Sequence, residues 1–273
     1  MPEAALRDLA AVPEAAPGRS APAGATVPVL PALRPVLPGG GLRPGSVVGL
    51  GGADGPGAAS LGLALVAGVS RHGGEDGSGG WCGVVGVPDF GVLAAAGMGA
   101  DPGRLLLVDD PGGRWPDVVA ALAEAVELIL LRPPERPGAA AVRRLPALAR
   151  KHGCVLALTG PFARDWPGVR LRLRLDEAAW DGLGDGHGRL TGRRVLVTAE
   201  GRDAPGAGRS ARLWLPAPDG SVVPDGSVVP DGSVVPDGTA RRPLELVSAG
   251  APVHPRPSGA PPLVRVAAEE GIA

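Results

Sequence analysis

Short apolar runs alternate with longer segments of helical spacing through the first 160 residues of the chain. Five runs of five to seven mainly apolar residues predict buried strands, at 46–51, 81–87, 104–108, 127–131 and 154–159. The segments between them have the length and periodicity of helices, at 58–70, 90–98, 115–126 and 139–151. This alternation predicts βα units, and therefore an α/β fold whose mostly parallel sheet carries helices on both faces.

The pattern changes after Gly160. Residues 169–175, VRLRLRL, alternate apolar side chains with arginine, which is typical of an antiparallel strand with one solvated face. Residues 193–199 and 209–215 continue this pattern across a Gly-rich turn, so the sequence predicts an antiparallel extension at one edge of the parallel sheet. The alternating arginines of the first of these strands are Arg170, Arg172 and Arg174. They could line a path for DNA, or they could be the charges that protect an edge strand from pairing with another chain.

These patterns divide the chain into three parts. Residues 1–36 are expected to form an N-terminal helix and linker, residues 37–215 the core, and residues 216–273 a repeat-containing, largely disordered tail. The tail repeats PDGSVV three times, at 218–235; one copy suits a β-turn at Asp-Gly, and three copies are too short for a solenoid core. A weak apolar stretch, LVRVAA at 263–268, is of the kind that sometimes docks on a partner, although plain disorder is the simpler interpretation.

Composition narrows the chemistry. Only one of the 27 basic residues is a lysine, Lys151, so it alone could serve a phosphate loop or form a Schiff base. The chain contains neither asparagine nor glutamine, which excludes side-chain amides as oxyanion donors and excludes Cys/His/Asn catalysis of the papain type. A net charge of -1 argues against a protein that coats nucleic acid by bulk electrostatics.

Cysteine and histidine usage is typical of a reducing cytosol. Cys82 and Cys154 lie in apolar runs and are expected to be small buried thiols rather than a disulfide. The four histidines are scattered without ligand spacing, so no metal site is expected. The sequence has neither a signal peptide nor an apolar run long enough for a membrane span, so a cytoplasmic location without membrane contact is expected.

The first predicted strand leads into a glycine-rich loop, GGADGPGAAS at 51–60. Gly52 and Gly57 have the separation of the two glycines in the phosphate-loop motif GxxxxGK[ST], with a strand before them and a helix after. Ala58 stands at the lysine position and Ala59 at the Ser/Thr position, and neither methyl group can contact phosphate or magnesium. The sequence therefore predicts a degenerate phosphate-loop remnant, with a plain Gly-rich turn as the alternative.

The sequence on both sides of this loop resembles that of a known family. Residues 37–52, LPGGGLRPGSVVGLGG, and then residues 81–110, resemble RecA-type recombinases in the order of their lead segment, strands and helices, and the resemblance extends over about 37–215. It implies a RecA-like, P-loop-type core. It also implies that the activating glutamate falls on or next to Pro88, with Asp89 the nearest acid, and that the Walker B aspartate falls at Arg132. Every catalytic position has therefore changed, so neither enzymatic activity nor a cofactor is expected.

An intact core pattern with an altered active site is similar to RecA-like accessory proteins of the ImuA type, which are encoded with error-prone polymerase cassettes in actinobacteria. That resemblance implies a non-catalytic scaffold in the SOS response, acting in damage tolerance and mutagenic translesion synthesis through protein–protein interaction. The implied partners are a Y-family polymerase-like protein and an error-prone replicative-type polymerase. Two alternatives are a cell-division inhibitor similar to SulA and a residual nucleotide-binding ATPase that uses the loop backbone and an arginine.

Two further clusters are candidate sites. The predicted helix at 139–151 presents basic residues that could contact phosphates or simply form a solvated face, namely Arg143, Arg144, Arg150 and Lys151. The segment WDGLGDGHGRL at 180–190 holds Asp181, Asp185 and His187, which could serve a metal or acid–base site, although a hairpin connection is the simpler interpretation.

Overall fold

A computed structural model describes residues 26–52, 57–74, 76–183, 188–204 and 209–226, together with a two-residue strand at 264–265. Within these residues no helix has both the length and the apolarity that crossing a bilayer requires. The helices are α1 Gly57–His72, α2 Val92–Gly97, α3 Trp115–Ala125 and α4 Ala139–His152. The strands are β1 Val47–Gly52, β2 Cys82–Val85, β3 Leu105–Val108, β4 Leu128–Leu131, β5 Val155–Leu158, β6 Leu171–Leu183, β7 Gly188–Glu200, β8 Arg209–Trp214, β9 Val223–Pro224 and β10 Val264–Arg265.

The described strands form one ten-stranded sheet in the order β10-β3-β2-β4-β5-β1-β6-β7-β8-β9. Every pairing from β10 to β6 is parallel, and every pairing from β6 to β9 is antiparallel. The predicted architecture is confirmed: an α/β core with a mostly parallel sheet, followed by an antiparallel extension.

The core consists of two apolar layers, one on each face of the sheet. Val48 and Leu50 of β1 pack with α1, whereas Val47 of the same strand packs with α3 and α4 on the other face. Both faces of the parallel strands are therefore covered, and β2, β4 and β5 are buried at every position. This double burial explains why these strands are apolar without alternation.

The core includes part of the segment that the sequence pattern placed in the N-terminal linker. Pro31–Val36 forms a 3-10 helix, and its Leu33 and Val36 are buried against the same layer as α1. A side chain at Gly68 of α1 would place its Cβ 2.7 Å from the Cα of Val29, so glycine permits this close approach. Residues 1–25, the rest of the predicted N-terminal helix and linker, lie outside the described residues.

The antiparallel extension begins in the interior of the sheet. β6 lies between β1 and β7, so the interpretation of its arginines as protection for an edge strand is wrong. The extension is instead a long hairpin of β6 and β7, followed by β8. Residues 180–190, predicted as a hairpin connection, contribute mostly to the two strands, and the tip at 184–187 lies outside the described residues.

The first PDGSVV copy forms the predicted turn. The Asp219 carboxylate accepts hydrogen bonds from the Ser221 backbone N–H at 2.9 Å and from its hydroxyl at 2.6 Å. Gly220 has φ +88°, which glycine adopts without strain. The chain then returns to pair with β8 as β9. Residues 227–263, which include the rest of the PDGSVV repeats, lie outside the described part of the chain.

Both cysteines are free and buried, as the sequence predicts. Burial, and after it the nearby Glu127 carboxylate, raise the pKa of the Cys82 thiol well above its ordinary value. We expect neither thiol to react with a thiol reagent at pH 8 in the native protein, and both to react once urea unfolds it, because the thiolate is the reacting form. Stoichiometric labelling of Cys82 without denaturant would contradict this placement.

Candidate functional site

The parallel strands all point the same way, so their carboxyl ends meet at one edge of the sheet, where ligands bind in open α/β folds. Two cavities open there. The smaller, of about 260 Å³, is lined by Ala58, Ala59, Leu63, Val87, Asp89, Phe90, Gly91, Leu130, Arg132, Thr159 and Gly160. The larger, of about 1030 Å³, is lined by Gly49, Leu50, Gly51, Ala58, Gly160, Pro161, Arg164, Asp165, Arg172, Leu173, Arg174 and Glu200.

The phosphate-loop remnant borders both cavities. β1 ends at Gly52 and α1 begins at Gly57, while residues 53–56 lie outside the described chain. Ala58 is buried, Ala59 is exposed, and both line the smaller cavity. A Cβ at Gly57 would lie 2.8 Å from the Leu175 Cβ, so glycine allows the start of α1 to pack on β6. The strand before the loop and the helix after it are therefore present, and methyl groups stand at Ala58 and Ala59, where the motif has lysine and Ser/Thr.

Arg132 lies at the carboxyl end of β4 and faces the smaller cavity. Its Nη1 lies 3.5 Å from the Asp89 Oδ1, and Asp89 follows β2, the strand beside β4. Gly160 after β5 leaves room for this arginine, because a Cβ there would lie 2.9 Å from the Arg132 Cγ. A guanidinium carries only donors, so it cannot coordinate a cation at this position.

The ion pair between Asp89 and Arg132 contributes little to stability, because both side chains are substantially exposed, at 75% and 45%. A double-mutant cycle with Asp89→Ala and Arg132→Ala should give a coupling energy of about 0.5 kcal/mol or less, further reduced by salt. Urea unfolding of the four proteins measures it. A coupling energy above about 2 kcal/mol would contradict the solvated arrangement.

Arg172 and Arg174 of β6 line the larger cavity, and both contact hydrogen-bond acceptors or carboxylates of the protein. Arg172 donates to the Arg164 carbonyl at 2.6 Å, and Arg174 pairs with Asp176 at 3.3 Å and Glu200 at 3.7 Å. Arg170, which precedes β6, pairs with Asp203 at 2.9 Å. The cavity therefore has a mixed lining in which the arginines Arg164, Arg172 and Arg174 face the acids Asp165 and Glu200.

Ser60, the first hydroxyl residue after Ala58 and Ala59, accepts a hydrogen bond from the buried Arg193. The Arg193 guanidinium donates from Nη2 to the Ser60 Oγ at 2.6 Å and from Nε to the Leu215 carbonyl at 2.9 Å. It is 6% exposed and lies 5.0 Å from the centroid of the Trp180 ring. Burial lowers the pKa of the Arg193 guanidinium. Ser60 thus ties α1 to the antiparallel extension and lines neither cavity.

This link was not predicted, although the sequence contains a signal for it. Successive residues of a strand point to opposite faces, so one arginine of the pair in RRVLVTA must share a face with Val195 and Val197. Those valines are buried, and Arg193 shares their face. Arg194 points the other way, where it pairs with Asp181 at 3.1 Å and stacks 5.5 Å from the centroid of the Trp214 ring.

The predicted basic face of α4 is exposed and separate from both cavities. Its members Arg143, Arg144, Arg150 and Lys151 are all exposed, and none of them lines either cavity. Arg144 pairs with Asp117 of α3 at 3.1 Å. Because α4 connects the carboxyl end of β4 to the amino end of β5, its last turn lies toward the opposite edge of the sheet. Its contact with phosphates stays a prediction.

The acidic segment at 180–190 is only partly described. Asp181 pairs with Arg194, whereas Asp185 and His187 lie outside the described residues. In the described part of the chain no group of three His, Cys, Asp or Glu side chains is arranged to hold a metal ion.

Comparison with known proteins places the chain in a family. Residues 35–168, which extend from the N-terminal 3-10 helix past β5, match the family described as the MT3502 N-terminal domain. The chain is 34% identical over 208 residues to the uncharacterized protein Rv3395c of Mycobacterium tuberculosis (strain ATCC 25618 / H37Rv), an alignment that covers 73% of this chain and 91% of that protein. The chain belongs to the Rv3395c family.

Among solved structures, the chain is similar to the KaiC-like protein PH0186 from Pyrococcus horikoshii OT3. The two are 16% identical with a TM-score of 0.45, over 72% of this chain and 99% of that one. In this member of the Rv3395c family, the residues that match the MT3502 N-terminal domain include the loop at 51–60 and Arg132, and they end before β6.

Proposed function

We propose that this member of the Rv3395c family is a non-catalytic RecA-fold scaffold that acts through protein–protein interaction in DNA damage tolerance. The observation that carries the proposal is the Arg132–Asp89 ion pair in the smaller cavity, beside Ala58 and Ala59. A cation occupies the position that an acid would need to hold magnesium, and its carboxylate neighbour already faces that cation. The frame of a nucleotide site is retained while its reacting groups are replaced.

Phosphoryl transfer on this type of loop depends on positioning and on charge stabilisation. A lysine and a magnesium ion neutralise the charge that develops on the phosphates, and an oriented side chain positions the nucleophile. Ala58, Ala59 and Arg132 supply neither the magnesium ligands nor the lysine. Losing several parts that act as a unit removes nearly all of the rate enhancement. A scaffold role requires only the fold and its surfaces, and the core described above retains both.

The resemblance to ImuA-type accessory proteins supplies the proposed partners and setting. They are a Y-family polymerase-like protein and an error-prone replicative-type polymerase in the cytoplasm, during SOS-induced translesion synthesis. The test is size-exclusion chromatography with light scattering on purified proteins, with and without Mg²⁺-ATP. We expect a complex with at least one polymerase, formed equally under both conditions and unchanged by Ala58→Lys with Ala59→Thr. Failure to bind either polymerase would refute the proposed setting.

A second candidate function is residual nucleotide binding, and the larger cavity favours it. That cavity adjoins Gly51 and Ala58 and presents the side chains of Arg164, Arg172 and Arg174, which attract phosphate. If ADP or ATP bound with a dissociation constant near 10 μM, a ligand concentration of about 1 mM would stabilise the fold by roughly 2.7 kcal/mol. A thermal shift that Arg174→Gln abolishes would support this candidate, and an unchanged melting temperature at millimolar ligand would remove it.

A further inference from the structure

The C-terminal segment of the chain returns to the sheet at the edge farthest from β9. β10 pairs in parallel with β3, placing Val264 opposite Leu106 and Arg265 opposite Leu107. β3 pairs with β2 on its other side, so without β10 it would be the edge of the sheet. An uncovered edge strand presents unpaired backbone N–H and C=O groups that accept another extended chain.

The length of the chain allows this pairing within one molecule. The ten strands span about 43 Å from β9 to β10 at the ordinary spacing of roughly 4.8 Å. The residues between the two strands, 225–263, reach about 130 Å when fully extended at roughly 3.3 Å per residue. The connection is therefore about three times longer than the shortest path, and a tethered strand needs no second molecule to occupy the edge.

The sequence of the segment suits a strand that begins where β10 begins. LVRVAA at 263–268 is apolar apart from one arginine, and two of its six residues are the β-branched valines that favour strands. Pro261 and Pro262 come directly before it, and proline cannot donate a backbone hydrogen bond to a ladder. Pairing can thus start only after the two prolines. In such added strands the main chain supplies the affinity, and alternate side chains supply the specificity.

We propose that the side of β3 opposite β2 is a strand-addition site for an extended apolar peptide in parallel register, and that the chain's own segment at β10 occupies it. The occupant is a tethered ligand, so a peptide of the same pattern competes for the same edge. This site does not depend on the proposed scaffold role, because it rests on the pairing of β10 with β3 alone.

Hydrogen–deuterium exchange on the full chain tests the proposal. Val264→Pro with Arg265→Pro should remove the pairing, whereas Ser248→Pro with Ala249→Pro places the same substitutions outside β10 as the matched control. We expect amides of the 104–109 peptide to exchange at least tenfold faster only in the first variant. Exchange in α4 and β5 should stay unchanged in both, which shows that the fold is intact. Equal exchange of the 104–109 peptide in both variants would overturn the proposal.

A second experiment adds the β10 segment as a separate peptide. The full chain with Val264→Pro and Arg265→Pro is mixed with a synthetic peptide of residues 259–273, or with the same peptide that itself carries Val264→Pro and Arg265→Pro. We expect the first peptide to restore slow exchange of the 104–109 amides in a concentration-dependent way, and the second to have no effect. Absence of any slowing would overturn the strand-addition site. If slow exchange of the 104–109 amides in the full chain disappeared when a dimer was diluted to monomer, the strand on β3 would come from a second copy. That result would contradict the proposal that the chain's own segment occupies the site.

Discussion

Replacing Arg193 with alanine is expected to lower the free energy of unfolding by about 3 kcal/mol, because one buried and one partly buried acceptor lose their donor. The guanidinium bonds the Ser60 hydroxyl and the Leu215 carbonyl from a position that is 6% exposed. Its removal also leaves a cavity under the Trp180 ring. Urea unfolding monitored by tryptophan fluorescence measures this change as a lower urea concentration at the unfolding midpoint, with the m-value unchanged.

The neighbouring arginine is the matched control for this substitution. Arg194 is exposed on the opposite face and pairs with Asp181, whose side chain is 34% exposed. Arg194→Ala should therefore cost less than about 1 kcal/mol, the usual range for a solvated ion pair. Equal losses for the two variants would show that Arg193 does not join α1 to the extension in the way the hydrogen bonds indicate.

Trp115→Ala should destabilise the fold by about 3–5 kcal/mol, the range for truncating a buried aromatic side chain. Trp115 begins α3, is 1% exposed and packs edge-to-face on Trp166, with ring centroids 6.3 Å apart. Its loss opens a cavity in the layer between the sheet and the α3–α4 pair. Differential scanning calorimetry and urea unfolding should agree on the size of the loss.

A conservative variant at the same position separates packing from a general intolerance of change. Trp115→Phe retains an aromatic ring in the layer, so it should cost clearly less than the alanine variant. A loss below about 1 kcal/mol for Trp115→Ala would mean that the layer collapses around the missing ring, contrary to close packing.

The parallel core was predictable from the sequence because its physics is local. Strands covered on both faces are continuous apolar runs, and β2, β4 and β5 follow that rule within one or two residues of the predicted bounds. The distal part of β6 was not predicted, because register shifts at Asp176–Ala179 and Asp181–Leu183 interrupt the alternation on which the prediction depended.

The sequence and its family resemblance predict Ala58, Ala59 and Arg132 as replaced phosphate-loop and Walker B residues, and the structure places all three on the smaller cavity. Their geometry could not be predicted from the sequence. The pairing of Arg132 with Asp89 depends on β2 lying beside β4, and strand order is a property of tertiary packing that local patterns do not encode. The Arg193–Ser60 bond joins residues that are 133 positions apart, so it too becomes visible only in the folded chain.

Mg²⁺-dependent phosphate release from ATP tests most directly whether the protein is non-catalytic, with the purified chain compared with Ala58→Trp, a substitution at a residue that lines both cavities. We predict that both proteins release phosphate at the rate of a protein-free blank, because Ala58, Ala59 and Arg132 provide no phosphoryl-transfer machinery. Turnover that rises in proportion to the concentration of the chain, and that Ala58→Trp abolishes, would show that the protein is an ATPase and not a non-catalytic scaffold.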